Sequence, residues 1–67
     1  MNWNQVEGNW PFVRDKVRQR WDHLTEEDLS QIGGRREELT GFLQERYGLK
    51  KEEAEHAADG FAHGLLL

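Results

Sequence analysis

The chain has 67 residues, of which 33% are charged and 36% apolar, with a formal net charge of −4 and no cysteine. A chain of this length allows one domain, and such a small domain buries only about 60% of the surface that its unfolded chain exposes. Without cysteine it forms no disulfide and no thiolate metal site, which agrees with a reducing compartment, and we expect a cytoplasmic protein. No stretch approaches the roughly 20 apolar residues of a membrane span, so no span is expected.

The charge balance also disfavours nucleic acid as a partner. The isoelectric point lies near 5.2, whereas non-specific binding to nucleic acid requires many cations that meet phosphates. A mean hydropathy of −0.95 places the chain near the border between folded and disordered proteins. The spacing of its apolar residues is helical throughout, which favours a folded, all-α protein.

The first apolar stripe has spacings of three and four, so its members share one helix face: Val6, Trp10, Val13, Val17, Trp21 and Leu24. Pro11 interrupts the stripe, because proline fits the first turn of a helix but not its interior. We therefore predict a short helical turn near residues 4–9 and a main helix over about 11–22. A single kinked helix is the alternative.

The next helix is predicted over residues 26–32. Thr25 precedes it as a capping residue, and the acidic first turn suits the positive end of the helix dipole. Gly33 and Gly34 follow, and glycine readily adopts the positive φ angles that end helices. A turn is expected there.

A further amphipathic helix is predicted over residues 35–47, with Gly48 at the left-handed position beyond its end and Leu49 folding back on Leu43. Gly41 lies inside this helix, where it costs about 1 kcal/mol relative to alanine, and close approach of another helix would explain it. Arg46 either pairs with an acidic residue at a neighbouring helix start or is solvated.

The last apolar stripe contains small residues that allow close packing, although Gly60 and Gly64 weaken it as a helix: Ala54, Ala57, Ala58, Phe61 and Leu65. The predicted fold is a small all-α bundle of three main helices plus a short helix, with antiparallel neighbours. Residues 1–62 form its single domain and residues 63–67 a short apolar tail. Its predicted core is Trp10, Val13, Val17, Trp21, Leu29, Ile32, Leu39, Phe42, Leu43 and Tyr47.

Several short motifs occur in a fixed order over residues 1–59: Gly8-Asn9-Trp10, Lys16-Val17, Trp21, Leu24-Thr25, Asp28, Gly34, Arg36, Leu39, Gly41, Gln44-Glu45-Arg46-Tyr47-Gly48 and Ala54-Glu55. In order and spacing the chain resembles the CsbD-like family of small bacterial stress proteins. The resemblance implies a compact bundle of about four helices, induction in general stress responses, a cytoplasmic location and no assigned biochemical activity. It supplies no catalytic residues.

One group of side chains has spacings suited to a metal. His56, Asp59 and His63 share one helix face, and imidazole with carboxylate can bind zinc. Gly60 and Gly64 weaken the helix at that point and no fourth ligand is evident, so we interpret these residues as solvated surface and predict no metal site.

No catalytic or cofactor-binding residues are predicted. The hydroxyl residues Thr25, Ser30 and Thr40 lack a convincing arrangement with histidine and carboxylate. The acidic clusters lie in first helical turns, where the helix dipole explains them without a shifted pKa. The chain is therefore not expected to be an enzyme.

The basic run of Arg14, Lys16, Arg18 and Arg20 flanks the tryptophan stripe, and such a pattern can stack bases or hold phosphates. The favoured interpretation is that the tryptophans form the core and the long basic stems cover its margins.

The predicted function is that of a noncatalytic stress-response protein acting as an interaction module. It would dock an unknown protein partner through a helix groove or through the apolar residues 65–67. The alternatives are a hydrophilic protectant that acts by mass on other macromolecules, and a weak nucleic-acid-binding module.

Overall fold

A computed structural model describes residues 1–65 and contains five α-helices in this range. They are α1 (Trp3–Gly8), α2 (Trp10–Arg20), α3 (Glu26–Ile32), α4 (Arg36–Tyr47) and α5 (Lys51–Gly64). The described residues contain no strand, so the all-α prediction is confirmed. The number of helices is five where four were predicted. Among residues 1–65, no helix combines the length and the apolar character needed to cross a membrane.

The break between α1 and α2 falls where Pro11 predicts it. Asn2 caps α1: its side-chain oxygen accepts a hydrogen bond from the backbone N–H of Gln5 at 2.8 Å, and the Asn2 backbone N–H donates to Oε1 of Gln5 at 2.9 Å. Asn9 ends α1 and begins α2, and Pro11 lies in the first turn of α2. Two separate helices therefore form, and the alternative of one kinked helix is wrong.

Local signals set both ends of α3. The Thr25 hydroxyl accepts a hydrogen bond from the Asp28 backbone at 3.0 Å, and the Asp28 carboxylate accepts one from the Thr25 backbone at 3.1 Å. This reciprocal capping box satisfies two donors that the helix start leaves free. Gly33 ends the helix in the left-handed conformation with φ 55°. The prediction for residues 26–32 is confirmed.

Gly34 is a point of close contact between α1 and the turn that joins α3 to α4. It is buried and has φ 87°. A Cβ atom added there would lie 2.6 Å from the Cα of Glu7 and 3.2 Å from the carbonyl oxygen of Val6. The backbone of α1 therefore rests directly on this glycine.

The longest helix of residues 1–65, α5, follows another glycine with positive φ. Gly48 has φ 67° and ends α4, as predicted, and Leu49 packs against the core. The backbone of Lys50 then donates to the Glu53 carboxylate at 2.8 Å, which helps to begin α5. α5 continues through Gly60 to Gly64, so these glycines do not interrupt it.

The N-terminal residues lie against α5. The amino group of Met1 donates to the carbonyl oxygens of Ala62 at 2.9 Å and Leu65 at 3.1 Å. Trp3 donates its indole N–H to the Asp59 carboxylate at 3.2 Å. Of the predicted tail, residues 63 and 64 belong to the last turn of α5 and Leu65 packs on the core, while Leu66 and Leu67 lie outside the described residues.

The buried core draws on all five helices and on the α2–α3 connection. Its apolar members are Val6, Val13, Val17, Trp21, Leu24, Leu29, Ile32, Leu39, Leu43, Ala54, Ala58 and Ala62. Trp10, Phe42 and Tyr47, which were predicted as core residues, are only half-buried. The core list from sequence also missed the alanines of α5, which pack there because a small side chain lets the helix come close.

Candidate interaction surface

α4 has an inner face and an outer face of different character. The inner face buries Leu39, Thr40 and Leu43. α4 packs most extensively on α5 and also contacts α3. On the outer face, a Cβ atom added at Gly41 would have no neighbour within 4 Å in the described chain.

An ion pair fixes the C-terminal half of α4 to the start of α3. Arg46 donates from Nε to the Asp28 carboxylate at 2.9 Å and from Nη2 at 3.0 Å. Asp28 is only 3% exposed, and its carboxylate also closes the capping box described above. The Arg46 guanidinium holds the pKa of the Asp28 carboxyl below its ordinary value. The hypothesis that Arg46 pairs with an acidic residue at a neighbouring helix start is confirmed.

Tyr47 adds a second attachment at the same end of α4. Its hydroxyl oxygen accepts a hydrogen bond from the backbone N–H of His23 at 3.0 Å. The two rings also meet edge to face, with centroids 5.0 Å apart. Arg46 and Tyr47 therefore hold the C-terminal end of α4 against α3 and the α2–α3 connection.

The outer face of α4 forms a shallow groove of about 200 Å³. We call it the acidic α4 face, and its residues are Glu37, Glu38, Gly41, Phe42 and Glu45. Within residues 1–65, its three carboxylates have no Lys, Arg or His nitrogen within 4.0 Å. Phe42 is half-buried and gives the groove an apolar part.

Gly41 is exposed in the middle of this face. A Cβ atom added there would have no neighbour within 4 Å. The prediction that another helix approaches Gly41 closely is therefore wrong for residues 1–65. A glycine inside a helix lowers stability by about 1 kcal/mol relative to alanine, and the described chain makes no use of the space.

We expect Gly41→Ala to raise the free energy of unfolding by about 0.5 to 1 kcal/mol, because alanine restricts the unfolded chain and fits the helix without a clash. Urea unfolding followed by circular dichroism measures this. Gly60→Ala in α5 is the matched control, since Gly60 is also exposed with no neighbour within 4 Å of an added Cβ, and it should give a similar gain. A loss of stability in Gly41→Ala would mean that the space beside Gly41 is filled.

The exposed side of α2 carries the opposite charge. Arg14 and Arg18 both form ion pairs with Glu26 at the start of α3. These two cations are therefore already paired within the chain. Lys16 lies 5.6 Å from the ring centre of Phe12, and Phe12 is 49% exposed. In the described chain, neither Lys16 nor Arg20 has a carboxylate within 4.0 Å.

We call the row of Phe12, Lys16 and Arg20 the basic α2 face, because a spacing of four residues places them on one side of the helix. Trp21, beside this face, is only 7% exposed and packs against Phe61 with ring centres 5.2 Å apart. For Trp21, the interpretation of the tryptophans as core residues is therefore confirmed. Trp10 is only half-buried.

His56, Asp59 and His63, whose spacing suits a metal, have different surroundings in the fold. Asp59 accepts two hydrogen bonds from Arg36 at 2.7 and 2.9 Å in addition to that from Trp3. Arg36 lowers the pKa of the Asp59 carboxyl. His56 and His63 are exposed, and no group of three or more metal-ligating side chains occurs in residues 1–65. Asp59 thus joins α5 to α1 and α4.

Two of the three hydroxyl groups considered for catalysis hydrogen-bond to the backbone of a helix. Thr25 caps α3, and the Thr40 hydroxyl donates to the carbonyl oxygen of Glu37 at 2.9 Å. Ser30 is exposed on α3.

The acidic α4 face was not predicted from the sequence, although the spacing of four between Glu37, Gly41 and Glu45 places them together on one side of α4.

A larger groove of about 460 Å³ lies between α1 and the start of α4. Its cations already have partners, because Arg36 binds Asp59 and Arg35 donates to the carbonyl oxygen of Gln31 at 2.7 Å. The acidic α4 face is therefore the stronger candidate for an interaction, since its charged groups are unpaired in the described chain.

Comparison with known proteins identifies the family. No family model matches the sequence, and no solved structure matches it. UPF0337 protein NE2439 of Nitrosomonas europaea is 41% identical over 63 residues, which cover 94% of this chain and 67% of the relative. UPF0337 protein YjbJ of an Escherichia coli O6:H1 strain is 41% identical over 61 residues, or 91% of this chain and 88% of the relative. UPF0337 protein ECA0631 of Pectobacterium atrosepticum is 47% identical over 55 residues, or 82% and 80%. The chain therefore belongs to the UPF0337 family.

Proposed function

We propose that this protein is a noncatalytic, cytoplasmic stress-response protein of bacteria that acts as an interaction module and docks its partner on the acidic α4 face. The stress-response part is supported by the resemblance to CsbD-like proteins, which the Gln44 to Gly48 segment carries most clearly. The names of the UPF0337 relatives assign no activity.

The observation that carries the docking surface is Gly41 in its setting, between Glu37 and Glu45 on the acidic α4 face, since Gly60 of α5 is equally open but does not lie on that face. Glycine in a helix interior lowers stability, and its common use is to let another backbone come close. Within residues 1–65 an added Cβ would meet nothing, so no such backbone belongs to the described chain. The approaching backbone would then belong to a partner.

The chemistry of the surface indicates the class of partner. Three carboxylates that have no cationic nitrogen within 4.0 Å in the described chain attract a basic surface, and the half-buried ring of Phe42, which the Arg46 guanidinium approaches to 5.9 Å, adds an apolar contact. A helix with basic and aromatic side chains at a spacing of four residues has this character.

A second candidate is a protectant that acts by mass. The high charged content, 33%, and the mean hydropathy of −0.95 favour it, since a strongly hydrated chain can protect other macromolecules without a specific contact. Such a protein would not depend on the shape of one helix face. The two candidates therefore differ in how they respond to a change at Gly41.

A complementation experiment separates them. In a bacterium whose own gene for this protein is deleted, we expect survival of stress to fall and to be restored by the wild-type protein. Gly60→Gln should restore survival equally, whereas Gly41→Gln at the same protein level should not, because its side chain fills the acidic α4 face. Equal rescue by both variants would favour the protectant, and unchanged survival of the deletion strain would contradict the stress role.

A further inference from the structure

Two charged surfaces of the described residues, the acidic α4 face and the basic α2 face, are opposite in sign and alike in spacing. The acidic α4 face presents Glu37, Gly41 and Glu45, and the basic α2 face presents Phe12, Lys16 and Arg20. Each row has a step of four residues, so each spans about 12 Å along its helix axis. Rows of this kind are the ridges and grooves that pack against each other when two helices cross.

We propose that the acidic α4 face binds the basic α2 face of a second copy of this chain. The proposal rests on the proposed function, in which the acidic α4 face is the docking surface, and it names the occupant. In the described chain neither Lys16 and Arg20 nor the carboxylates of the acidic α4 face form an ion pair within 4.0 Å, so both sets are free to pair with each other across the contact.

Two further features suit this contact. Phe12 is the large apolar side chain that the described residues leave most exposed, and the opposite face offers the half-buried ring of Phe42. Gly41 lies midway between Glu37 and Glu45, so the missing side chain leaves room for the incoming helix at the centre of the row. Phe12 lies at one end of the basic α2 face, and aromatic side chains are enriched in interfaces.

The contact joins different surfaces of the two copies, so it is heterologous. Each copy that binds through α2 still has a free α4 face, and each copy that binds through α4 has a free α2 face. Association of this kind extends into chains, or into rings where the rotation closes, instead of stopping at a two-fold dimer. Its average size therefore rises with protein concentration and falls with added salt, which screens exposed charges.

Sedimentation equilibrium of the purified full chain, from dilute to near-millimolar concentration, tests the proposal. We expect the average mass to rise with concentration and to fall when salt is added. Amide resonances in proton–nitrogen NMR spectra should shift with concentration mainly in residues 12–20 and 37–45. A monomeric wild-type protein over the whole range would overturn the proposal.

Charge exchange provides the specific test. One variant carries Lys16→Glu and Arg20→Glu, and the other carries Glu37→Lys, Glu38→Gln and Glu45→Lys. All five positions are exposed, so both variants should keep the helical circular dichroism of the wild type. Each variant alone should be monomeric, whereas an equimolar mixture should associate, because the exchanged faces complement each other. A mixture that stays monomeric, or single variants that associate like the wild type, would contradict the proposal.

A neutral substitution at Gly41 tests the shape of the contact without changing its charge. Gly41→Gln should weaken self-association at least about tenfold, which corresponds to about 1.4 kcal/mol. Gly60→Gln on α5 should leave it unchanged. The two proposals fail separately: a monomeric wild type together with the loss of stress survival in Gly41→Gln would leave α4 as a docking surface for a different basic protein.

Discussion

Replacing Gly34 by alanine is expected to lower the free energy of unfolding by about 3 kcal/mol or more. The residue has φ 87°, which strains any other side chain, and the new Cβ would lie 2.6 Å from the Cα of Glu7. The opposing atoms are backbone, so no side-chain rotation relieves the contact and α1 must move. A domain of this size has a total stability of about 3 to 10 kcal/mol, so the substitution removes about a third of it or more.

Gly33→Ala is the control for this experiment. Gly33 also has a positive φ, 55°, but its added Cβ would have only the Ser30 carbonyl oxygen nearby, at 3.9 Å. We expect a loss of about 1 to 2 kcal/mol from backbone strain alone. Urea unfolding followed by circular dichroism gives both values. Equal losses in the two variants would argue against the contact between α1 and the turn.

Removal of Arg46 is expected to destabilise the protein more than removal of the charge on its partner. Asp28→Asn removes the charge from a hydrogen-bonded pair and should lower the free energy of unfolding by about 2 kcal/mol. Arg46→Met leaves the buried carboxylate of Asp28 without its guanidinium, and an uncompensated buried charge is the more costly state. Urea midpoints at neutral pH rank the two variants. The reverse order would mean that Asp28 is well solvated.

The same pair predicts a pH dependence with a definite sign. Arg46 lowers the pKa of Asp28 in the folded state below its unfolded value of about 3.9. The resulting stabilisation is therefore fully present well above about pH 4 and is lost as the pH falls through the folded-state pKa. Arg46→Met lacks this pH-dependent stabilisation. The difference in urea midpoint between the variant and the wild type should therefore narrow on acidification.

Asp59, whose pKa is also lowered, contributes stability that is likewise lost as the pH falls. Because it is paired with Arg36 in both proteins, its effect cancels in the comparison. A gap between wild type and Arg46→Met that stays constant from pH 7 down to about pH 3 would contradict the assignment to Asp28.

The sequence predicts those parts of the fold that depend on neighbouring residues. The limits of α3 follow from Thr25 and Gly33, and the end of α4 from Gly48, because capping and positive φ are local properties. The partner of Arg46 could be proposed but not identified, since several acidic helix starts were available. Its choice of Asp28 depends on how α4 packs against α3.

Longer-range packing explains what the sequence reading missed. Alanine gives a weak apolar signal, and Gly60 and Gly64 reduce the helix propensity of the last segment, yet α5 is the longest helix and supplies three core residues. Trp10 was predicted as core but begins α2, where a helix end meets solvent. The acidic α4 face could not be located either, because a face is known to be uncovered only when the positions of the other helices are known.

The attachment of so many distant residues to α5 has a consequence for the protein during its synthesis. Trp21 packs on Phe61, Trp3 donates a hydrogen bond to Asp59, and the Met1 amino group donates one to Ala62. In each pair the second residue is synthesised much later than the first. At about 5 to 20 residues per second, the ribosome reaches Phe61 some seconds after Trp21. In the nascent chain Trp3 and Trp21 therefore lack these contacts until α5 emerges, and the core closes only once nearly all of these residues have left the ribosome.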